Sequence, residues 1–169
     1  MTTQQPPFRL TSVDEPTPTR AAARRQKGRP ARAKAVQYLL ACDESGVGEL
    51  QAAIQTLPLC AQGRVFVEVA SAADIGFIEV PSRMTVTWLT RATRSGAPGT
   101  GETCTRGVAL TRAVAAWSDE MLCESSADAH IWLGGDYRAV SGCFEHLTDQ
   151  GVDPARIAAP EQYRLHSAG

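Results

Sequence analysis

Short apolar runs alternate with segments of helical periodicity from residue 35 onward. The runs are rich in β-branched and aromatic residues, which predicts strands at AVQYLLA, RVFVEVA, MTVTWLT and AHIWLGG, with ARIAA as a weaker fifth. Apolar residues three or four positions apart predict helices through Val47, Leu50, Ile54 and Leu57, over residues 106–122, and through Val140, Phe144 and Leu147.

This alternation predicts an α/β fold. Strands separated by helices pair in parallel, and the handedness of the crossovers places helices on both faces of the sheet. We therefore expect an open, mostly parallel, five-stranded Rossmann-like sheet. Ligands of such sheets bind beyond the carboxyl ends of the strands, where the strand order reverses. Candidate functional residues should directly follow a strand.

The charge of the chain is unevenly distributed. Residues 1–34 carry eight Lys and Arg against two acids and few large apolar residues, whereas residues 35–169 carry nine Arg against sixteen acids. The composition predicts a disordered basic arm over residues 1–34 and one folded domain over residues 35–169. The arm could dock an acidic partner or be a solvated tail. Nucleic acid is not the expected partner, because the domain is acidic and no aromatic residues are interleaved in the basic stretch between Arg20 and Lys34.

Metal and membrane sites are not expected. The five cysteines include no C-x-x-C pair, and the three histidines share no local metal-ligand spacing. No apolar run approaches the roughly 20 residues of a membrane span, and the amino terminus lacks an apolar signal region. A cytoplasmic protein is the simplest expectation.

Polar residues lie near or just after the end of each predicted strand. The clusters are Asp43-Glu44-Ser45, Glu68 with Asp74, Arg91 with Arg94, Gly134-Gly135-Asp136, and a last group that includes Tyr163. Asp43 or Ser45 could cap the first helix, and the glycines could simply turn the chain. Guanidinium groups at a strand end suit the 2′-phosphate of NADP, although a solvated loop is an equal alternative. The dinucleotide motif G-x-G-x-x-G is absent.

These segments resemble a known family. YLLACDES, VFVEVASAAD, VTWLTR, WLGGD and a closing aromatic-Arg pair are similar to the carboxy-terminal domain of the siderophore-interacting proteins, over residues 36–164. That family comprises NAD(P)H-dependent ferric-siderophore reductases of the ferredoxin-reductase superfamily. The resemblance implies a ferredoxin-reductase NADP-domain type of fold that binds the nicotinamide nucleotide. In proteins of that family, a separate β-barrel domain precedes this domain and binds FAD.

The resemblance also implies roles for individual residues. It places Asp43, Glu44 and Ser45 at the nucleotide turn, and Arg91 near the adenosine phosphate. It places Gly135 and Asp136 near the nicotinamide, with Tyr163 as the candidate for the aromatic residue near the flavin. The chain departs from the family at Cys42, where glycine is usual, and its first 34 residues are too few for a flavin barrel. FAD is therefore not expected to bind this chain alone.

Two functional interpretations remain from the sequence. The first is a stand-alone NAD(P)H-binding domain that acts in ferric-siderophore reduction or iron handling, with flavin supplied by a partner protein or free in solution. The second is a non-catalytic binding or regulatory module that keeps the fold and docks a partner through its basic arm. Whether the chain is an enzyme stays open. If the coenzyme binds, Arg91 or Arg94 should favour NADPH over NADH.

Overall fold

A computed structural model of the protein describes residues 36–122 and 129–165. The chain divides into Met1–Ala33 and Lys34–Gly169, and all described residues belong to the second unit. The predicted arm thus lies outside the described residues, and its disorder stays a prediction. In the two described stretches, no helix combines the length and apolar composition that a membrane span requires.

The described strands form one sheet in which every neighbouring pair is parallel. The strands are β1 (Gln37–Asp43), β2 (Gln62–Val69), β3 (Arg83–Thr90), β4 (Ala129–Gly134) and β5 (Ile157–Ala158). Their order is β3-β2-β1-β4-β5. The order reverses between β1 and β4, which places the expected ligand crevice at the carboxyl ends of these two strands.

Helices cover both faces of the sheet, which confirms the predicted fold class. The helices are α1 (Val47–Gln55), α2 (Val108–Met121) and α3 (Tyr137–Asp149). Alternate residues of β1 point to opposite faces: Leu39 belongs to the core beneath α2 and α3, and Leu40 to the core beneath α1. Because both faces are covered, the buried parts of the central strands are mostly apolar, with Asp43 in β1 and Glu68 in β2 as the buried charged residues. A charged residue inside such a strand must find a partner.

Candidate functional site

The turn after β1 is built around a buried carboxylate. Asp43 ends β1 and is 0% exposed. Its Oδ1 accepts hydrogen bonds from the backbone N–H and hydroxyl of Ser45, at 2.9 and 2.6 Å. Its Oδ2 accepts from Nε of Arg106 at 2.7 Å and from the N–H of Asp136 at 3.3 Å. Asp43 therefore caps the turn that leads into α1 and joins it to the turn after β4.

The turns after β1 and β4 meet backbone to backbone. Gly135 has a left-handed φ of 95°, and a Cβ there would lie 2.3 Å from Oδ1 of Asp43. A Cβ on Gly46 would lie 2.7 Å from the backbone nitrogen of Gly135. Only glycine fits either position without displacing the other turn. This contact accounts for Gly135 on structural grounds, and a cofactor-binding role for Gly134 and Gly135 stays a prediction.

Asp136 and Tyr163 lie at the same turn. Asp136 is the N-cap of α3 and accepts a hydrogen bond from the N–H of Arg138 at 2.9 Å. The hydroxyl of Tyr163 donates to the carbonyl oxygen of Gly135 at 2.6 Å, and its ring meets Tyr137 edge-on with centroids 5.3 Å apart. The chain thus returns after β5 to place a partly buried aromatic side chain beside the β4 turn, and Tyr137 is 51% exposed there.

A second buried carboxylate lies near the end of the neighbouring strand. Glu68 pairs with Asp43 across β1 and β2 and is 0% exposed. Its oxygens accept hydrogen bonds from the N–H of Gly107 at 2.7 Å and of Leu110 at 2.8 Å. These N–H groups lie at the amino terminus of α2, where the helix dipole favours a negative charge. Glu68 is therefore the anion that caps α2.

Arg91 lies between Glu68 and Glu44. Its NH1 donates to Glu68 at 3.1 Å and to Oε2 of Glu44 at 2.8 Å, while its NH2 donates to Oε1 of Glu44 at 2.7 Å. The hydrogen bonds from Arg91 hold the pKa of Glu44 below its ordinary value, with a smaller contribution from the charge of Arg106. Glu44 is thus ionised at neutral pH. The predicted phosphate contact of Arg91 stays a prediction, but the guanidinium is already occupied by carboxylates.

Arg94 lies apart from these ion pairs. It lines a cavity of about 710 Å³ formed by the loop between β3 and α2. Arg112 holds this loop by donating to the carbonyl oxygens of Ser95 and Gly96, at 2.9 and 3.1 Å. Within residues 36–122 and 129–165, the guanidinium of Arg94 makes no ion pair. The two arginines predicted together therefore have different surroundings.

The first turn of α1 is open. Gly46 is the N-cap of this helix and provides no side-chain cap, and a Cβ added at Gly48 would meet nothing within 4 Å. The acids of the preceding turn point aside: Asp43 is buried against Arg106, and Glu44 is held by Arg91. Glu49 is the acid in the first turn of α1, and it is exposed. The backbone N–H groups of this turn can thus receive an anion without Asp43 or Glu44 in front of them, provided that the side chain of Glu49 turns toward solvent.

Cys42 has no part in thiolate chemistry. It is 0% exposed, and burial, with the charges of Asp43, Glu49 and Glu44, raises the pKa of its thiol to about 12. A thiol with this pKa stays protonated at neutral pH. Among the described residues, no group of three His, Cys, Asp or Glu could hold a metal ion. In the same residues, no buried side-chain nitrogen or oxygen lacks a hydrogen-bond partner.

The sequence places Glu68 among the candidate residues near strand ends but gives it no specific role, and it does not single out Arg106. A signal for Glu68 is present, because a lone acid in the apolar run VFVEV must be paired if the strand is buried on both faces. No sequence signal marks Arg106, since its contact with Asp43 joins residues 63 positions apart.

Comparison with known proteins gives one family. The model of the family described as siderophore-interacting protein matches residues 35–161. The search of curated proteins gives no match.

Three solved structures illustrate the similarity of fold. A siderophore utilization protein from T. fusca is 28% identical with a TM-score of 0.55; the match covers 75% of this chain and 44% of that one. The siderophore-interacting protein SipS from Aeromonas hydrophila is 18% identical with a TM-score of 0.54, and the match covers 75% of this chain and 50% of that one. A ferredoxin reductase in carbazole 1,9a-dioxygenase is 16% identical with a TM-score of 0.50, and the match covers 78% of this chain and 38% of that one. This chain spans half or less of each of these structures.

Proposed function

Because this chain belongs to the siderophore-interacting protein family, we propose that it is a nicotinamide-nucleotide-binding domain acting in ferric-siderophore reduction or iron handling. It works with a flavin supplied by a partner protein or free in solution. The observation that carries the proposal is the open first turn of α1 at the point where the strand order reverses. This is where a parallel α/β sheet receives the pyrophosphate of a dinucleotide.

The residues of this crevice fit a dinucleotide. An unpaired carboxylate beside the helix terminus would repel the pyrophosphate. Asp43 and Glu44 are both bound by arginines, and Glu49 in the first turn of α1 is exposed, so its side chain can turn toward solvent. The open space beside Gly48 leaves room for the phosphates. On the other side of the crevice, the exposed ring of Tyr137 and the partly buried ring of Tyr163 provide apolar surface for the nicotinamide.

The role of the protein is to position the nicotinamide against the flavin, and it forms no covalent bond with either. A bound, reduced nicotinamide nucleotide would supply a hydride for a flavin. Tyr163 is fixed by its hydrogen bond to Gly135, so its ring keeps one orientation toward the crevice. The first turn of α1 would hold the phosphates, and the turn after β4 would lie beside the nicotinamide. Holding the two reacting rings in line and excluding water is the expected source of rate enhancement.

A second candidate is a non-catalytic module that docks a partner through the basic arm. The observation that favours it is the internal pairing of the buried acids: Asp43 and Glu68 have their partners within this chain. These acids therefore have their hydrogen bonds and ion pairs in the absence of any nucleotide.

Calorimetric titration of NADH into the purified full chain tests the proposal. We compare wild type with Gly48→Glu, which adds a charge and bulk in the open space beside the first turn of α1. Gln55→Glu adds the same charge at the other end of the helix and serves as the control. Gly48→Glu should weaken NADH binding about tenfold or more, since one lost charge-assisted contact corresponds to this factor. Gln55→Glu should leave it unchanged.

The same preparations test the flavin and the reaction. The purified chain should be colourless, and added flavin should be needed before NADH oxidation depends on a ferric chelate. A yellow preparation with stoichiometric FAD would contradict the expectation that this chain alone does not bind FAD. Absence of coenzyme binding at millimolar concentration would reject the proposed function in favour of the docking module.

A further inference from the structure

Arg91 is engaged in a bidentate ion pair of the kind that a phosphate would make. Both terminal nitrogens contact Glu44, at 2.8 and 2.7 Å, and one of them also contacts Glu68 at 3.1 Å. The side chain of Arg91 is only 14% exposed. A guanidinium in this position binds planar or tetrahedral oxyanions through paired N–H groups. In this protein, the carboxylate of Glu44 occupies the position that such an oxyanion would take on Arg91.

The charged side chains around Arg91 carry a net negative charge. Arg91 and Arg106 bring two positive charges, and Asp43, Glu44 and Glu68 bring three negative ones. Arg106 faces Asp43 at 2.7 Å and Glu44 at 3.9 Å. An added phosphate would therefore enter a net negative cluster, where like charge disfavours it.

The two carboxylates on Arg91 differ in how firmly they are held. Glu68 is fully buried and caps α2 through two backbone N–H groups, so it cannot leave without exposing buried donors. The side chain of Glu44 is 36% exposed and forms its ion pairs with Arg91 and Arg106. Rotation of Glu44 into water would strand no buried group other than Arg91. Glu44 is thus the exchangeable partner.

We propose that Glu44 is a resident anion that occupies Arg91 in place of a phosphate on the adenosine ribose, so that it determines coenzyme specificity. This inference rests on the proposed function. A coenzyme with a free 2′-hydroxyl leaves the Glu44–Arg91 pair intact, whereas a 2′-phosphate must displace Glu44. The wild-type domain therefore gains little from the 2′-phosphate, and NADPH has no strong advantage over NADH.

The Glu44–Arg91 pair changes the coenzyme preference that is expected from the sequence. A strand-end arginine alone favours NADPH. The same arginine with a bidentate carboxylate does not, because the gain from the phosphate is offset by the loss of Glu44. Removing the charge of Glu44 should restore the preference that the sequence predicts.

The test is a titration of NADH and NADPH against wild type, Glu44→Gln and Glu49→Gln, all as the full chain. Glu49 lies in the first turn of α1, and both its charge and that of Glu44 raise the pKa of Cys42, so it is a matched control for loss of one nearby charge. The measured quantity is the ratio of the two dissociation constants for each variant. Glu44→Ala is a second variant that removes the acceptor atoms as well, and thermal unfolding checks that each variant is folded.

The ratio should be near one in wild type and in Glu49→Gln. In Glu44→Gln and Glu44→Ala it should shift about tenfold or more toward NADPH, the factor for one gained charge-assisted contact. A wild type that already prefers NADPH tenfold, or folded Glu44 variants with the wild-type ratio, would overturn the inference while leaving the proposed function standing. Failure of every variant to bind either coenzyme would overturn the proposed function and the inference with it.

Discussion

The buried carboxylate of Glu68 offers a quantitative test of how the sheet and α2 are joined. We consider Glu68→Gln, which keeps the shape of the side chain and replaces one oxygen by an NH2 group. In the protein, Oε1 accepts from Gly107 and Arg91, and Oε2 accepts from Leu110. An amide has only one oxygen. Whichever way it turns, its NH2 group must face a donor.

The size of the effect follows from the hydrogen bonds that the amide cannot make. In the better orientation the amide oxygen keeps Gly107 and Arg91, and the NH2 group faces the N–H of Leu110. Two buried donors are then unsatisfied, at about 1–3 kcal/mol each. In addition, Arg91 then donates to a neutral amide oxygen, where the wild type offers a charged carboxylate. We expect Glu68→Gln to lower the free energy of unfolding by about 3 kcal/mol or more, a large share of the roughly 5–15 kcal/mol of a typical domain.

Urea unfolding followed by the fluorescence of the three tryptophans measures this change. Glu49→Gln is the control, because Glu49 is exposed in the first turn of α1, and it should change stability by no more than about 0.5 kcal/mol. The slope m should stay constant, so that the midpoint reports stability. A decrease below about 1 kcal/mol at unchanged m would refute the view that Glu68 holds α2 to the sheet.

Three further outcomes are expected. Limited trypsin digestion should leave a stable core that begins near Ala35, because the preceding residues lack the apolar content to fold; resistance at the arginines and lysines of the arm would contradict this. The stability difference between wild type and Glu44→Gln should be present at neutral pH and fade as the pH falls below about 4.5, because pairing with Arg91 sets the folded pKa of Glu44 below that value; a difference that persists in acid would exclude the ion pair as its source. Gly135→Ala should destabilise the protein by more than about 1 kcal/mol in the same urea assay, since its Cβ would meet Asp43 at a left-handed φ, while Gly48→Ala should not.

The fold could be predicted because its signals are local. The run VFVEV is apolar enough to require cover on both faces, and the helical spacing of Leu50 and Ile54 places α1 where the structure has it. Boundaries are less accurate: periodicity predicts the second helix from residue 106, and the helix begins at Val108, after the left-handed Gly107. This shift reflects the cap that Glu68 provides from another strand.

The position of the candidate site could be predicted, but its ion pairs could not. Strand ends share one side of a parallel sheet, so the clusters around Asp43 and Gly135 are expected to meet, and they do. The occupation of Arg91 by Glu44 joins residues 47 positions apart and depends on side-chain directions that periodicity does not encode. Residue type alone predicts a free cation where the folded chain has a neutralised one.

The internal pairing of the buried charges has a consequence for how this domain can be combined with others. In the described part of the chain, no buried side-chain polar atom is left for another polypeptide to satisfy. A segment of this kind can be moved by gene fusion or fission without an energetic penalty at its carboxylates, because the arginines that neutralise them move with it. The same domain can therefore be joined to different neighbouring domains, and only its surface need change to suit each one.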